Sequence, residues 1–171
     1  MTTSENLFIF VSLSILLILL FVVKKIPWKK LGFTPTQCHK GWLSIILFSI
    51  GVFILVQVFI NFLKLPAWVM DKDPLIPLLV IVFLQEYIFR GILITWLERW
   101  GKQKALWIST ILFGSIHLVQ PGAWLITALS FIGGYFWGWH FLKFRNIYLL
   151  SLSHLIVNLS FNYVLFSLFF K

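Results

Sequence analysis

Glu86 is the one acidic residue of this chain that falls inside an apolar run; Glu5, Asp71, Asp73 and Glu98 all lie in tails or between runs. A carboxylate at membrane depth is costly unless it is paired or neutralised, so its default reading is functional. Two further apolar runs carry His117 and His154, and Asn158 follows His154 by four residues. These residue types support two chemistries. A carboxylate and an imidazole can activate water while a second imidazole and a carboxamide donate hydrogen bonds to a developing oxyanion. Alternatively, Glu86 with the two histidines could bind a divalent metal such as zinc and acidify a bound water. No His-Glu-x-x-His motif is present, and spacing alone does not choose. Either route is hydrolysis of an amide in apolar surroundings.

The elements that must position these groups follow from composition. The 171 residues are 60% hydrophobic and only 11% charged, with a mean hydropathy of +0.97. A soluble fold of this length could not hide so much apolar surface, so the expected solvent is lipid. Six runs are long enough, or nearly so, to span it: 7–23, 42–63, 75–97, 105–119, 123–142 and 147–170. The fold class expected is all-α, a polytopic transmembrane helix bundle of about six spans and one integral membrane domain over 1–171. Its core is placed at about 75–170, preceded by helices 7–23 and 42–63. Gln120-Pro121-Gly122 marks a tight hairpin between the fourth and fifth runs. Neither an inverted repeat nor an interrupted helix is legible. The first run has no basic residue before it and no small-residue cleavage pattern after it, so it reads as a retained helix. The lone Cys38 leaves no intramolecular disulfide and no cysteine metal cluster.

The net charge of +9 follows the loops rather than one soluble face. Loops 24–41, 98–104 and 143–146 hold five Lys, then Arg99, Lys102 and Lys104, then Lys143 and Arg145. This bias predicts those loops on the cytoplasmic side and both termini outside, in a prokaryotic plasma membrane. Membrane lipid is the expected partner, and no nucleic acid. All nine Trp residues, Trp137 among them, read as an aromatic belt near helix ends. Measured from the cytoplasmic ends, Glu86, His117 and Asn158 lie roughly 16–18 Å deep and His154 roughly 10 Å. Three helices thus bring polar groups to similar depth, which predicts one buried site.

Each group also has a plain structural reading. Glu86 and Arg90 are i,i+4 in the favourable order, so they could be a self-neutralising ion pair. His117 could be a packing histidine, and His154 with Asn158 interhelical glue. Gln57 reads as packing or bonding locally, and His140 as a cytoplasmic rim residue. Gly133, Gly134 and Gly138 read as a close helix contact.

Taken together, the motifs resemble the CAAX-protease and bacteriocin-processing (CPBP, or Abi) family of intramembrane endopeptidases. The family pattern is Glu-Glu-x-x-x-Arg, then Phe-x-x-x-His, then His-x-x-x-Asn on three helices. This chain has Gln85-Glu86-x-x-x-Arg90, Phe113-x-x-x-His117 and His154-x-x-x-Asn158. The resemblance implies a glutamate-dependent protease, called a metalloprotease in older descriptions, with metal-free catalysis favoured and no cofactor. It implies that a carboxylate with His117 activates water, that His154 and Asn158 form the oxyanion site, and that Arg90 orients the acidic motif. The substrate implied is a protein or peptide with a C-terminal or membrane-embedded segment. The first family glutamate is Gln85 here, and a carboxamide can orient water but cannot take its proton. Two readings stay open: Glu86 takes over that role, or the chain is an inactive binding or immunity protein. A proton-coupled transporter using Glu86 and the histidines is a third, less favoured reading.

Overall fold

The computed structural model describes residues 26–33, 41–63, 75–119 and 124–162, together with Ile15. The run 7–23, the turn at 120–123, and the basic stretch with Cys38 lie outside these residues, Ile15 apart. Helices account for the regular structure among the described residues, with no strand.

Helix α1 spans Trp42–Leu63. Helix α2 runs over residues 75–100 as one continuous rod of changing pitch. It is α-helical over Leu75–Glu86, a π-helix over Tyr87–Ile94, α-helical again over Thr95–Leu97, and 3₁₀ over Glu98–Trp100. The rod is not interrupted, but its pitch changes at the residue after Glu86. Helix α3 covers Lys102–Ser115 and tightens to 3₁₀ over Ile116–Val119. Helix α4 spans Trp124–Phe144 and α5 spans Ile147–Asn162.

The helix boundaries have local causes. Gly101, at φ 110°, lets α2 turn directly into α3. Arg145 ends α4 in the left-handed region at φ 49°, a conformation a side chain adopts only when its surroundings hold it. Its guanidinium donates to the Lys30 carbonyl at 3.2 Å and to Thr95 Oγ1 at 3.1 Å, and pairs with Glu98. Asn146 then caps α5, its Oδ1 accepting from Leu149 N–H at 3.1 Å. The Ile147 N–H donates to the Gly32 carbonyl at 3.1 Å. Residues from three of the basic loops therefore meet at one end of the bundle.

The exposed surface is apolar, and polar side chains lie inside beside a hydrophobic core of residues such as Ile45, Val56, Ile94, Phe113, Phe141 and Leu150. Leu43, Leu47, Ile50, Ile54 and Val58 form an exposed stripe at helical spacing along α1, and Ile76, Leu79, Val80, Ile108 and Ile111 are exposed on α2 and α3. Buried instead are Ser49, Gln57, Glu86, Arg90, Ser109, Thr110, His154 and Ser160. An apolar exterior with the polar side chains paired inside is the arrangement lipid favours, because backbone and side-chain polar groups must then be satisfied internally. Two stretches, Trp42–Phe59 and Leu78–Trp100, are long and apolar enough to cross a membrane.

Packing between helices uses the expected small residues. A Cβ on Gly134 would stand 3.1 Å from Phe113 Cδ1 and 3.6 Å from the Thr110 Cα, and one on Gly138 would stand 2.6 Å from Leu106 Cδ1. The α3–α4 contact is thus as close as the glycines allow. A polar seam joins α1 to α5: Ser49 Oγ and Ser153 Oγ share a 2.8 Å hydrogen bond, and Gln57 Nε2 donates to the Ser160 carbonyl at 2.6 Å. Both pairings advance in the same direction, so α1 and α5 are parallel. Gln57 therefore bridges two helices rather than bonding locally, since no solvent is available to satisfy its amide. His140 departs from expectation too. It lies at the expected basic-loop end but is fully buried there, with Nε2 3.1 Å from the Gly41 carbonyl and its ring against Phe144.

Candidate active site

Glu86 closes the α-helical part of α2, one residue before the π segment. Its side chain is fully buried. One carboxylate oxygen accepts a hydrogen bond from His154 Nδ1–H on α5 at 2.8 Å. The other lies 3.2 Å from Arg90 Nε, the i,i+4 partner expected from the sequence. π segments occur frequently at functional sites.

Arg90 is equally buried. Its guanidinium lies over the Phe113 ring at 4.1 Å, and NH2 donates to the Gly134 carbonyl at 3.4 Å. The carboxylate and the aromatic face together compensate a cation that could not otherwise remain charged away from water.

His154 sits between two aromatic rings. It stacks on Trp137, with centroids 4.4 Å apart and planes at 26°, and meets Phe113 nearly at right angles at 5.5 Å. Because Nδ1 faces a carboxylate, that nitrogen carries the proton, and Nε2 is the face the ring presents elsewhere.

His117 lies in the 3₁₀ turn that ends α3 and is half-buried. Its Nδ1 is 2.9 Å from the Phe113 carbonyl one turn earlier. A carbonyl only accepts, so Nδ1 is the protonated nitrogen and Nε2 keeps its lone pair. The His117 ring lies 5.1 Å from that of Phe113.

Phe113 is thus the hub. One ring, almost fully buried, touches Arg90, His117 and His154. Three of the expected site residues, Glu86, Arg90 and His154, are in direct contact, and His117 joins them through Phe113. Asn158 follows one turn beyond His154 on α5, half-buried and without a side-chain hydrogen bond among the described residues. Gln85, also half-buried, precedes Glu86 at about 100° around the helix. The hydrogen-bond partner of Glu86 among the described residues is His154, on the third of the three motif helices, rather than His117.

Trp137 is the unexpected member of the site. Its place in the sequence fits the aromatic belt, yet it is buried under His154, and its Nε1–H donates to Ser153 Oγ at 2.9 Å. Its position one turn from Gly133, on the small-residue face of α4, is the only sequence signal that points inward.

A buried carboxylate–guanidinium–imidazole cluster thus lies inside a helix bundle with an apolar exterior, the arrangement of a membrane-embedded protein. The family model described as "Type II CAAX prenyl endopeptidase Rce1-like" matches residues 73–160, just over half of the chain, and the chain belongs to that family. The family is one of membrane-embedded, CAAX-type endopeptidases within the CPBP group. No curated protein and no solved structure gives a significant match.

Proposed function

We propose that this chain is an intramembrane endopeptidase that cleaves a peptide bond near the C-terminus, or in a membrane-anchored segment, of a protein substrate. The observation that carries this is the Glu86–His154 hydrogen bond, with Arg90 on the second carboxylate oxygen and His117 across the Phe113 ring.

In this reading His117 is the base. Nδ1–H is held by the Phe113 carbonyl, so Nε2 takes a proton from water as the water oxygen adds to the scissile carbonyl. The Gln85 carboxamide can orient that water but not deprotonate it. To donate Nε2–H to the oxyanion His154 must carry its second proton in the reacting complex, with Nδ1–H on Glu86, and Asn158 supplies a second donor. Glu86 acts through His154: its carboxylate stabilises the imidazolium and fixes the ring. When the tetrahedral intermediate collapses, the C–N bond breaks and His117 returns the proton to the leaving amine. Both histidines are then regenerated.

The donor set does not fit a divalent metal. Both oxygens of Glu86 face hydrogen-bond or cationic partners, and His154 offers the carboxylate an N–H rather than a lone pair. Among the described residues no group of three or more His, Cys, Asp or Glu is placed to hold an ion. No step is therefore routed through one.

Purified protein in detergent or lipid, given prenylated and unprenylated C-terminal peptides, tests the reading. His117→Ala and His154→Ala are expected to lower turnover by about 10²–10⁴-fold. Cleavage that survives either substitution overturns the assignment. A second reading, an inactive membrane binding or immunity protein, is favoured by two observations: Gln85 stands at the first acidic position, and the adjacent carboxylate already faces His154 and Arg90. A wild-type chain that binds but does not cleave, and that gains cleavage on Gln85→Glu, would establish it.

A further inference from the structure

Trp137 meets the proposed site from α4, and the contacts beneath it reach a helix outside the family-matched segment. The indole stacks on His154 with centroids 4.4 Å apart and planes at 26°. Stacking on one face, with Phe113 at its edge, holds the plane of the ring in which Nδ1–H reaches Glu86, and the hydrogen bond to Glu86 selects that nitrogen. The indole is itself fixed. Its Nε1–H donates to Ser153 Oγ at 2.9 Å, and Ser153 Oγ shares a 2.8 Å hydrogen bond with Ser49 Oγ. Ser153 accepts from the indole, so its own hydroxyl proton is free to go to Ser49, and Ser49 donates onward to the Ile45 carbonyl at 2.8 Å. All three side chains are buried. Every donor in the chain Trp137–Ser153–Ser49–Ile45 therefore has one acceptor, which gives the indole plane a defined setting. Ser49 and Ile45 belong to α1, whereas the family match begins at residue 73.

We propose that Trp137 is a positioning residue for His154, and that α1 sets its plane through the Ser49–Ser153 hydrogen bond. α1 is then part of the site's machinery, not only a membrane anchor. Indole burial alone would call for any large ring at this place; the relay calls for Trp, because only its N–H engages Ser153. The inference rests on the proposed role of His154, and the experiment separates the two.

Protein carrying ¹⁵N-labelled histidine in micelles reports the His154 Nδ1–H directly, by its solvent-exchange rate, whether or not the chain cleaves peptides. Trp137→Leu is expected to raise that rate about tenfold or more, Trp137→Phe less, and Ser49→Ala several-fold in the same direction, although Ser49 does not touch His154. In the peptide assay the same variants are expected to lower kcat in that order, up to about 100-fold for Trp137→Leu, with KM within about twofold. Helix content and elution volume matching wild type show that each variant folds. Should Trp137→Leu fail to fold, Ser49→Ala and Trp137→Phe carry the test. An unchanged exchange rate in folded Ser49→Ala together with either Trp137 variant overturns the positioning role. Equal effects of Phe and Leu at position 137 overturn the relay. Altered exchange in a chain whose wild type cleaves nothing upholds the positioning role and refutes the proposed function instead.

Discussion

At the scale of single residues, the site is a problem of burying charge. Glu86 and Arg90 are both fully buried, and each is tolerable only because of the other. Glu86→Gln is expected to cost about 3–5 kcal/mol of stability by stranding Arg90, on top of its effect on turnover; thermal unfolding in micelles measures it. The double variant Glu86→Gln with Arg90→Met removes both charges and is expected to recover much of that loss while remaining inactive. Recovered activity would show that the carboxylate has no role beyond neutralising Arg90. Phe113 is a second sensitive point. Phe113→Ala is expected to cost about 3–5 kcal/mol by cavity formation, and to slow cleavage at the stability it retains, since it removes the surface shared by His117, His154 and Arg90. Glu86, Arg90, His117 and His154 are all legible in the sequence, because an ionisable group in an apolar run is too costly to be incidental. Trp137 is not, because a tryptophan's burial depends on which way its helix faces.

At the scale of elements, glycines decide how near α4 comes to the site. The Gly134 carbonyl accepts from Arg90, and its missing side chain leaves room for Phe113. Gly134→Val is expected to displace Phe113, costing about 1–3 kcal/mol by overpacking and lowering kcat along with stability. Gly101→Ala, where nothing lies within 4 Å, tests the other use of glycine. Only the backbone conformation, φ 110° and ψ 140°, is at stake there, so the expected loss is about 1–3 kcal/mol with turnover per folded molecule unchanged. The described ends of the apolar runs agree closely with the helices, since lipid-facing length and apolar length are the same constraint. The π segment of α2 has no such signature. Its residues, Tyr87–Ile94, include Gly91 and three β-branched isoleucines, weaker α-helix formers than Ala or Leu, but propensity alone does not announce a π turn.

At the scale of the whole molecule, exposed apolar stripes and buried polar seams require a lipid-like solvent, so removal of detergent is expected to precipitate the protein. The clasp of Lys30, Thr95, Glu98 and Arg145 gathers basic loops at one end. If those loops are cytoplasmic, as the positive-inside bias predicts, Cys38 of the 24–41 loop is expected to escape a membrane-impermeant maleimide in intact cells and to react after permeabilisation. Labelling in intact cells would reverse the proposed orientation.

Hydropathy and the cost of buried charge act locally along the chain, so the solvent, the helical class and the ionisable residues of the interior are written in the order of the amino acids. Partnership was decided only by tertiary structure. Which histidine Glu86 meets, which ring His154 rests on and which helix Gln57 reaches all depend on the rotation and depth of one helix against another. Those are set by packing at glycines and by the need to satisfy every polar group inside a bundle whose outside offers none.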